Sequence, residues 1–165
     1  MPSLASGEGA ALLDRFRRYL RDHRQPVTRQ RDLVAQVLFL SDDHPSVDGI
    51  RRALKERGEH VGTATVYRTL EVLVQSGLVR AHDFGEGFKR YEPARDVPHH
   101  EHLMCRVCGR VEEFRDERLE RMTTLIADAH AFSRESHRLV IYGVCDRCRR
   151  GEPFDAPPLT HEPPT

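Results

Sequence analysis

Apolar positions recur with a helical period through the first third of the chain. Over residues 10–23, Leu12, Leu13, Phe16, Tyr19 and Leu20 share one stripe, which predicts an amphipathic helix. Pro26 ends it. Thr28 caps a second predicted helix with Leu33, Val34, Val37, Leu38 and Leu40 as its apolar positions. A turn starts at His44-Pro45. Ser46 caps a third helix carrying Val47, Ile50 and Leu54, and Gly58 closes it. Thr63 is expected to cap a fourth, with Val66, Leu70 and Leu73 inward and Gly77 as its stop. The pattern then changes. Two short β-prone runs, 78–84 and 88–92, flank Gly85-Glu86-Gly87 and read as a hairpin. Short helices followed by a hairpin form the winged-helix pattern, with the fourth helix for recognition and the hairpin as wing.

Residues 93–98, bounded by prolines, read as a hinge. Beyond it, 102–105 and 110–114 read as strands around a Cys-x-x-Cys turn, 118–131 as a helix with Leu119, Met122, Ile126 and Ala129 on one stripe, and 139–144 as a strand. Strand, strand, helix, strand is a small α/β domain whose edges a partner subunit could cover. The expected fold class is therefore α+β. Residues 10–92 form a winged helix-turn-helix, 99–150 a metal-binding dimerisation domain, and 151–165, with five prolines from Glu152 on, a disordered tail.

Charge separates the halves. Residues 1–91 carry 15 Lys/Arg against 12 Asp/Glu, and residues 92–165 carry 11 against 14. Seven arginines fall between Arg15 and Arg31, which fits an N-terminal half facing a polyanion. No apolar run approaches the ~20 residues that span a bilayer, and residues 1–11 lack the charge and apolarity of a signal peptide. The expectation is a soluble cytoplasmic protein. In that setting the four cysteines, all in the second half, point to metal or redox chemistry before a disulfide framework.

Cys105-x-x-Cys108 and Cys145-x-x-Cys148 are the strongest chemical signal. Two such turns can close a tetrahedral sulfur cage, the preferred geometry of structural zinc. The 36 intervening residues suffice for a strand, a helix and a strand, so the metal would pin the ends of the sheet. The alternatives are two unrelated reduced pairs or one redox pair. A redox pair normally opens a helix, and no helical pattern follows either pair here.

His99-His100-Glu101-His102 precedes the first cysteine pair. In an extended run, side chains alternate faces. His100 and His102 then share one face, His99 and Glu101 the other, so one strand can feed two metal sites. Candidate completing ligands are Glu92, Glu113, Glu120, His137 and His44. Imidazole and carboxylate without thiolate suit iron(II), manganese(II) or zinc(II).

Three segments carry a family resemblance: Gly62-Thr-Ala-Thr-Val-Tyr-Arg-Thr-Leu70, His99-His-Glu-His-Leu-Met-Cys-Arg-Val-Cys-Gly109 and His137-Arg-Leu-Val-Ile-Tyr-Gly-Val-Cys-Asp-Arg-Cys148. Through them the chain, from about Leu12 to Cys148, resembles the ferric uptake regulator (Fur) family of metal-dependent repressors. The resemblance implies a homodimer that binds double-stranded operator DNA and is no enzyme. It implies structural zinc on Cys105, Cys108, Cys145 and Cys148. It implies a regulatory metal on His44, Glu92, His100, His102 and Glu113, and a second metal on His99, Glu101, Glu120 and His137. The chain departs from the family in three ways. Glu101 stands where many members have aspartate. Glu113 stands where peroxide sensors have aspartate. No fifth cysteine exists for the additional ligand of several zinc sensors. The last two departures favour an iron- or manganese-responsive member, with a zinc- or peroxide-responsive one as the alternative. Gln25 and Pro26 replace a family glycine and basic residue before the second helix, and Arg24 is the nearest substitute.

Helix four offers Thr63, Thr65, Tyr67 and Arg68 to DNA. Arginine can take guanine O6 and N7 together, and a tyrosine ring or threonine methyl can meet a thymine methyl. The resemblance favours Tyr67 and Arg68; the competing reading puts Tyr67 in the core and leaves Arg68 a phosphate anchor. Arg29, Arg31, Lys89 and Arg90 are expected phosphate contacts. Three other functions remain to be weighed: a metal hydrolase, which needs an open coordination position and a general base; a metal-trafficking module without DNA specificity; and a constitutive DNA binder with zinc for structure alone.

Overall fold

A computed structural model describes residues 4–95 and 99–153. They fall into two compact units, divided between residues 97 and 98. The expected tail lies mostly outside the described residues, as do Asp96, Val97 and Pro98 of the expected hinge.

The first unit holds α1 (Leu4–Asp22), α2 (Arg29–Phe39), α3 (Val47–Glu56), α4 (Thr63–Gln75) and an antiparallel hairpin of β1 (Val79–Asp83) and β2 (Lys89–Pro93). The caps follow side-chain chemistry. The Thr28 hydroxyl accepts from the Arg31 N–H at 3.3 Å, and the Ser46 hydroxyl accepts from Gly49 at 3.2 Å. Helix α4 differs from expectation. Its cap is Gly62 with no side-chain bond, and Thr63 is its first helical residue. Helix α1 begins six residues before the predicted start, and Gly9 within this extension is buried against the end of α2. A Cβ there would meet Leu40 Cδ2 at 3.2 Å. Pro93, expected in the hinge, is the last residue of β2, opposite Val79.

The apolar stripes converge on one core of Phe16, Leu20, Val34, Leu38, Phe39, Ile50, Leu54, Val66, Leu70 and Leu73, with Leu78 and Val79 closing it. Phe16 is fully buried. Phe16→Ala is expected to cost about 3–5 kcal/mol, to be read as a fall in the urea midpoint of the first unit's unfolding.

The second unit is a three-stranded sheet in the order β4 (Val111–Phe114), β3 (Glu101–Cys105), β5 (Val140–Gly143). Strand β3 pairs antiparallel with β4 and parallel with β5. Helix α5 (Glu117–Ala129) supplies the crossover, capped by Asp116, whose bonds to Arg118 hold its carboxyl down at about 2. A four-residue helix, α6 (Asp146–Arg149), follows β5 and was absent from the sequence expectation. This unit buries little. Met104 and Cys105 are its only buried apolar side chains among the described residues, and the α5 stripe is open, with Met122, Leu125 and Ile126 exposed. No described helix is long and apolar enough to cross a membrane.

Candidate metal centres and nucleic-acid interface

The four cysteines come from both ends of the sheet. Cys105 ends β3 and Cys108 sits in the turn to β4. There Gly109 takes φ +70°, and its N–H donates to the Cys105 carbonyl at 2.9 Å. Cys145 and Cys148 bracket the start of α6. The Arg106 N–H donates to the Gly143 carbonyl at 2.8 Å, tying the first turn to β5. All four cysteines are unbridged, and their sulfurs lie within 4.8 Å of one another. The Cys108–Cys145 separation is 3.8 Å. A disulfide needs about 2.05 Å, whereas zinc–sulfur bonds of about 2.3 Å at tetrahedral angles set neighbouring sulfurs about 3.8 Å apart. The sulfurs are spaced for an ion.

Their ionisation agrees. Burial pushes the Cys105 thiol up, but N–H groups of Cys145, Cys108 and Val107 outweigh it and bring it to about 6. Burial raises Cys108. Burial and the neighbouring sulfurs push Cys148 to about 12. One thiolate forms readily and discourages the others, a charge conflict that a cation resolves. The second pair does open a helix, contrary to expectation. With all four sulfurs gathered, that helix orients ligands without isolating a redox pair.

In the first unit, His44 precedes α3 and Glu92 lies on β2, both buried, at 4% and 3% exposure. His44 Nε2 is 2.6 Å from Glu92 Oε2. The loop that carries His44 is fastened to β2, because the Tyr91 N–H donates to the Pro45 carbonyl at 3.0 Å and the Arg90 guanidinium to the His44 carbonyl at 3.3 Å.

In the second unit, the run 99–102 leading into β3 deals its ligands to two faces as alternation requires. His100 and His102 stand with ring centres 5.1 Å apart, and His100 Nε2 is 3.8 Å from Glu113 Oε1. On the other face, ligand atoms of His99, Glu101, Glu120 and His137 lie within 4.8 Å of one another. Glu101 Oε1 is 2.7 Å from His99 Nε2 and 2.6 Å from His137 Nε2, while Glu101 Oε2 accepts from the Leu139 N–H at 2.6 Å. These donors are all nitrogen or oxygen, which fits iron(II), manganese(II) or zinc(II).

On α4 the burial alternates sharply. Val66, Thr69 and Leu70 face the core, while Thr63, Tyr67 and Arg68 are exposed and Thr65 partly so. Tyr67, at 50% exposure, is not a core residue. The expected phosphate contacts divide. Arg29 and Lys89 are exposed, although the Arg29 guanidinium also donates to Glu59 Oε1 at 2.5 Å. Arg31 is engaged with the Gln25 side chain at 2.9 Å and the Pro26 carbonyl at 3.2 Å. Arg90 makes a two-pronged fork to Glu86, 2.6 Å at each prong. Arg24 adopts φ +54° at the end of α1.

The ferric uptake regulator family model matches residues 24–142. The chain belongs to the ferric uptake regulator family. The Fur-family ferric uptake regulation protein of Campylobacter jejuni subsp. jejuni is 39% identical over 139 residues, 83% of this chain and 88% of the relative. The zinc uptake regulation protein of Mycobacterium tuberculosis is 38% identical over 122 residues, 74% of this chain and 93% of the relative. Among solved structures, the Helicobacter pylori ferric uptake regulator Fur, described as having three functional metal binding sites, superposes with a TM-score of 0.78. It is 25% identical, covering 86% of this chain and 93% of that one.

Two residues beside Glu92 in this Fur chain carry no local signal in the sequence. His82 Nε2 lies 3.2 Å from Glu92 Oε1, and Arg80 Nη1 lies 3.4 Å from the same oxygen. Both sit on β1 and reach a β2 carboxylate, so only the hairpin register, Arg80 opposite Glu92, reveals them.

Proposed function

We propose that this Fur-family chain is a metal-responsive, DNA-binding transcriptional repressor that acts as a homodimer on iron or manganese homeostasis genes. One observation carries the proposal: nitrogen and oxygen ligands of one chemical type are divided between the two units. His44 and Glu92 stand on the helical unit, and His100, His102 and Glu113 on the sheet unit. Shared by these five residues, a divalent ion would supply a charge centre with directional bonds. The ligands of each unit are then drawn to common positions, which selects one orientation of the winged helix. Moving that equilibrium from 1:99 to 99:1 requires about 10⁴-fold tighter binding to the selected state, about 5.5 kcal/mol.

Cys105, Cys108, Cys145 and Cys148 hold structural zinc in this reading, and His99, Glu101, Glu120 and His137 hold a further ion. The exposed apolar face of α5, with Phe132 and Ile141, is covered by a second copy of the chain. Pairing presents two α4 helices to a pseudo-palindromic operator. Thr63, Thr65, Tyr67 and Arg68 face bases or backbone, and Arg29 and Lys89 meet phosphate. Arg31 and Arg90 hold the loop and wing that carry those contacts. No bond of a substrate needs to be made or broken.

All four cysteines lie in the sulfur cluster, so the regulatory site has no thiolate. That favours iron(II) or manganese(II). Similarity to a zinc uptake regulator supports zinc as the second reading. Anaerobic operator binding at fixed salt, compared across the three ions, separates them. Absence of any metal effect would overturn the sensor function. Arg68→Ala should cost about 1–3 kcal/mol and relax specificity at one base position. Arg29→Ala should weaken all sequences alike and lower the salt slope by about 1. Equal losses on operator and random DNA for Arg68→Ala would remove it from base readout.

A further inference from the structure

Two groups that the metal-site reading does not use approach Glu92 from one side, Arg80 as a hydrogen-bond donor and His82 at ion-pair distance. The β1–β2 register sets Arg80 opposite Glu92 and His82 on the diagonal, both within reach of its carboxylate. Both converge on one oxygen: Oε1 is 3.2 Å from His82 Nε2 and 3.4 Å from Arg80 Nη1. The other oxygen, Oε2, faces His44 Nε2 at 2.6 Å. The two oxygens of one buried carboxylate are thus in different surroundings.

The imidazole of His82 is itself fixed. It stacks on Phe84, with ring centres 5.6 Å apart and planes 10° from parallel, and Phe84 is fully buried. The same Phe84 ring meets His44 edge-on at 6.2 Å. A single aromatic side chain therefore contacts both histidines. Arg80, 45% exposed, has no comparable support.

We propose that His82 is a positioning residue of the regulatory site, holding Glu92 Oε1 so that Oε2 alone is offered to the ion. This rests on the reading that His44 and Glu92 ligate the regulatory metal. A ligating carboxylate is ordinarily held by a partner outside the coordination shell, and losing that partner costs about 10- to 100-fold in affinity. Without His82 the carboxylate can rotate and bind through both oxygens. That changes the coordination number, and with it the preference among manganese(II), iron(II) and zinc(II).

The test uses the full-length dimer with its cysteine zinc in place. His82→Phe keeps the ring and the stack on Phe84 but removes the N–H. His82→Gln restores a donor of similar reach. Manganese(II) affinity is measured by EPR titration, coordinated imidazole nitrogens are counted by pulsed EPR, and the absorption of the cobalt(II)-loaded protein reports geometry. His82→Phe should bind manganese(II) at least about tenfold more weakly. Its nitrogen count should be unchanged, its cobalt(II) spectrum altered and its metal-free melting temperature near that of the parent, with affinity recovered in His82→Gln. Parental affinity and spectrum in His82→Phe, with Glu92→Ala impaired, overturn the inference alone. Loss of one nitrogen in His82→Phe also overturns it, making His82 a ligand. Parental binding in Glu92→Ala overturns the site reading and this inference with it.

Discussion

Cys148→Ser, or extraction of zinc by a strong chelator, is expected to unfold the second unit and dissociate the dimer while the first unit keeps its helices. The two units are unequally built. The first encloses a continuous core from Phe16 to Leu73. The second buries only Met104 and Cys105 among its described apolar side chains. A three-stranded sheet with so little buried apolar area needs a staple. Structural zinc contributes apparent binding energies of about 10–16 kcal/mol at neutral pH, and that energy is folding energy. No core substitution in the first unit approaches this size. Circular dichroism with analytical ultracentrifugation checks the result; a folded dimer after complete zinc removal would refute it.

The same site should respond to acid. Zinc displaces protons from Cys108 and Cys148, whose metal-free thiols are raised, so apparent affinity falls as pH falls. Cys105, at about 6 without metal, is ionised above that pH and protonated below it. The loss of affinity should therefore steepen below about pH 6, where zinc must displace one more proton.

The second large effect concerns the regulatory ligands. His44→Ala and His102→Ala should each abolish the metal-dependent gain in operator affinity, although the residues belong to different units. Coupling between sites is typically about 1–3 kcal/mol, or 5- to 150-fold. Each variant should lose that whole factor and retain the weak metal-free binding. The double variant should be no worse than either single one, because one shared ion is lost only once. Non-additivity of this kind is what contacting partners show and independent sites do not. Losses that multiply in the double variant would mean two separate sites.

Much of this was legible in the chain because the relevant signals are local. Thr28 and Ser46 announce their helices through side-chain oxygens. Alternation in an extended run sorts His100 and His102 from His99 and Glu101. Helix α4 starts one residue away from the expected arrangement because its cap, Gly62, has no side chain to signal it. The early part of α1 brings Gly9 against Phe39 and Leu40, a contact that no local pattern encodes. Helix α6 is one turn long, too short for periodicity. Met122 and Ile126 form a visible stripe, but spacing alone does not say what covers it, and among the described residues both stay exposed. His82 was missed because strand register brings it to Glu92. The fork from Arg90, an expected phosphate contact, onto Glu86 within its own wing carries no signal in the sequence.

The direct test is an anomalous-difference map from crystals of the manganese(II)-loaded dimer on operator DNA. The account predicts one peak at bonding distance from both the His44 and the His102 imidazoles. A peak held by His100, His102 and Glu113 with the His44 imidazole turned to solvent would contradict it.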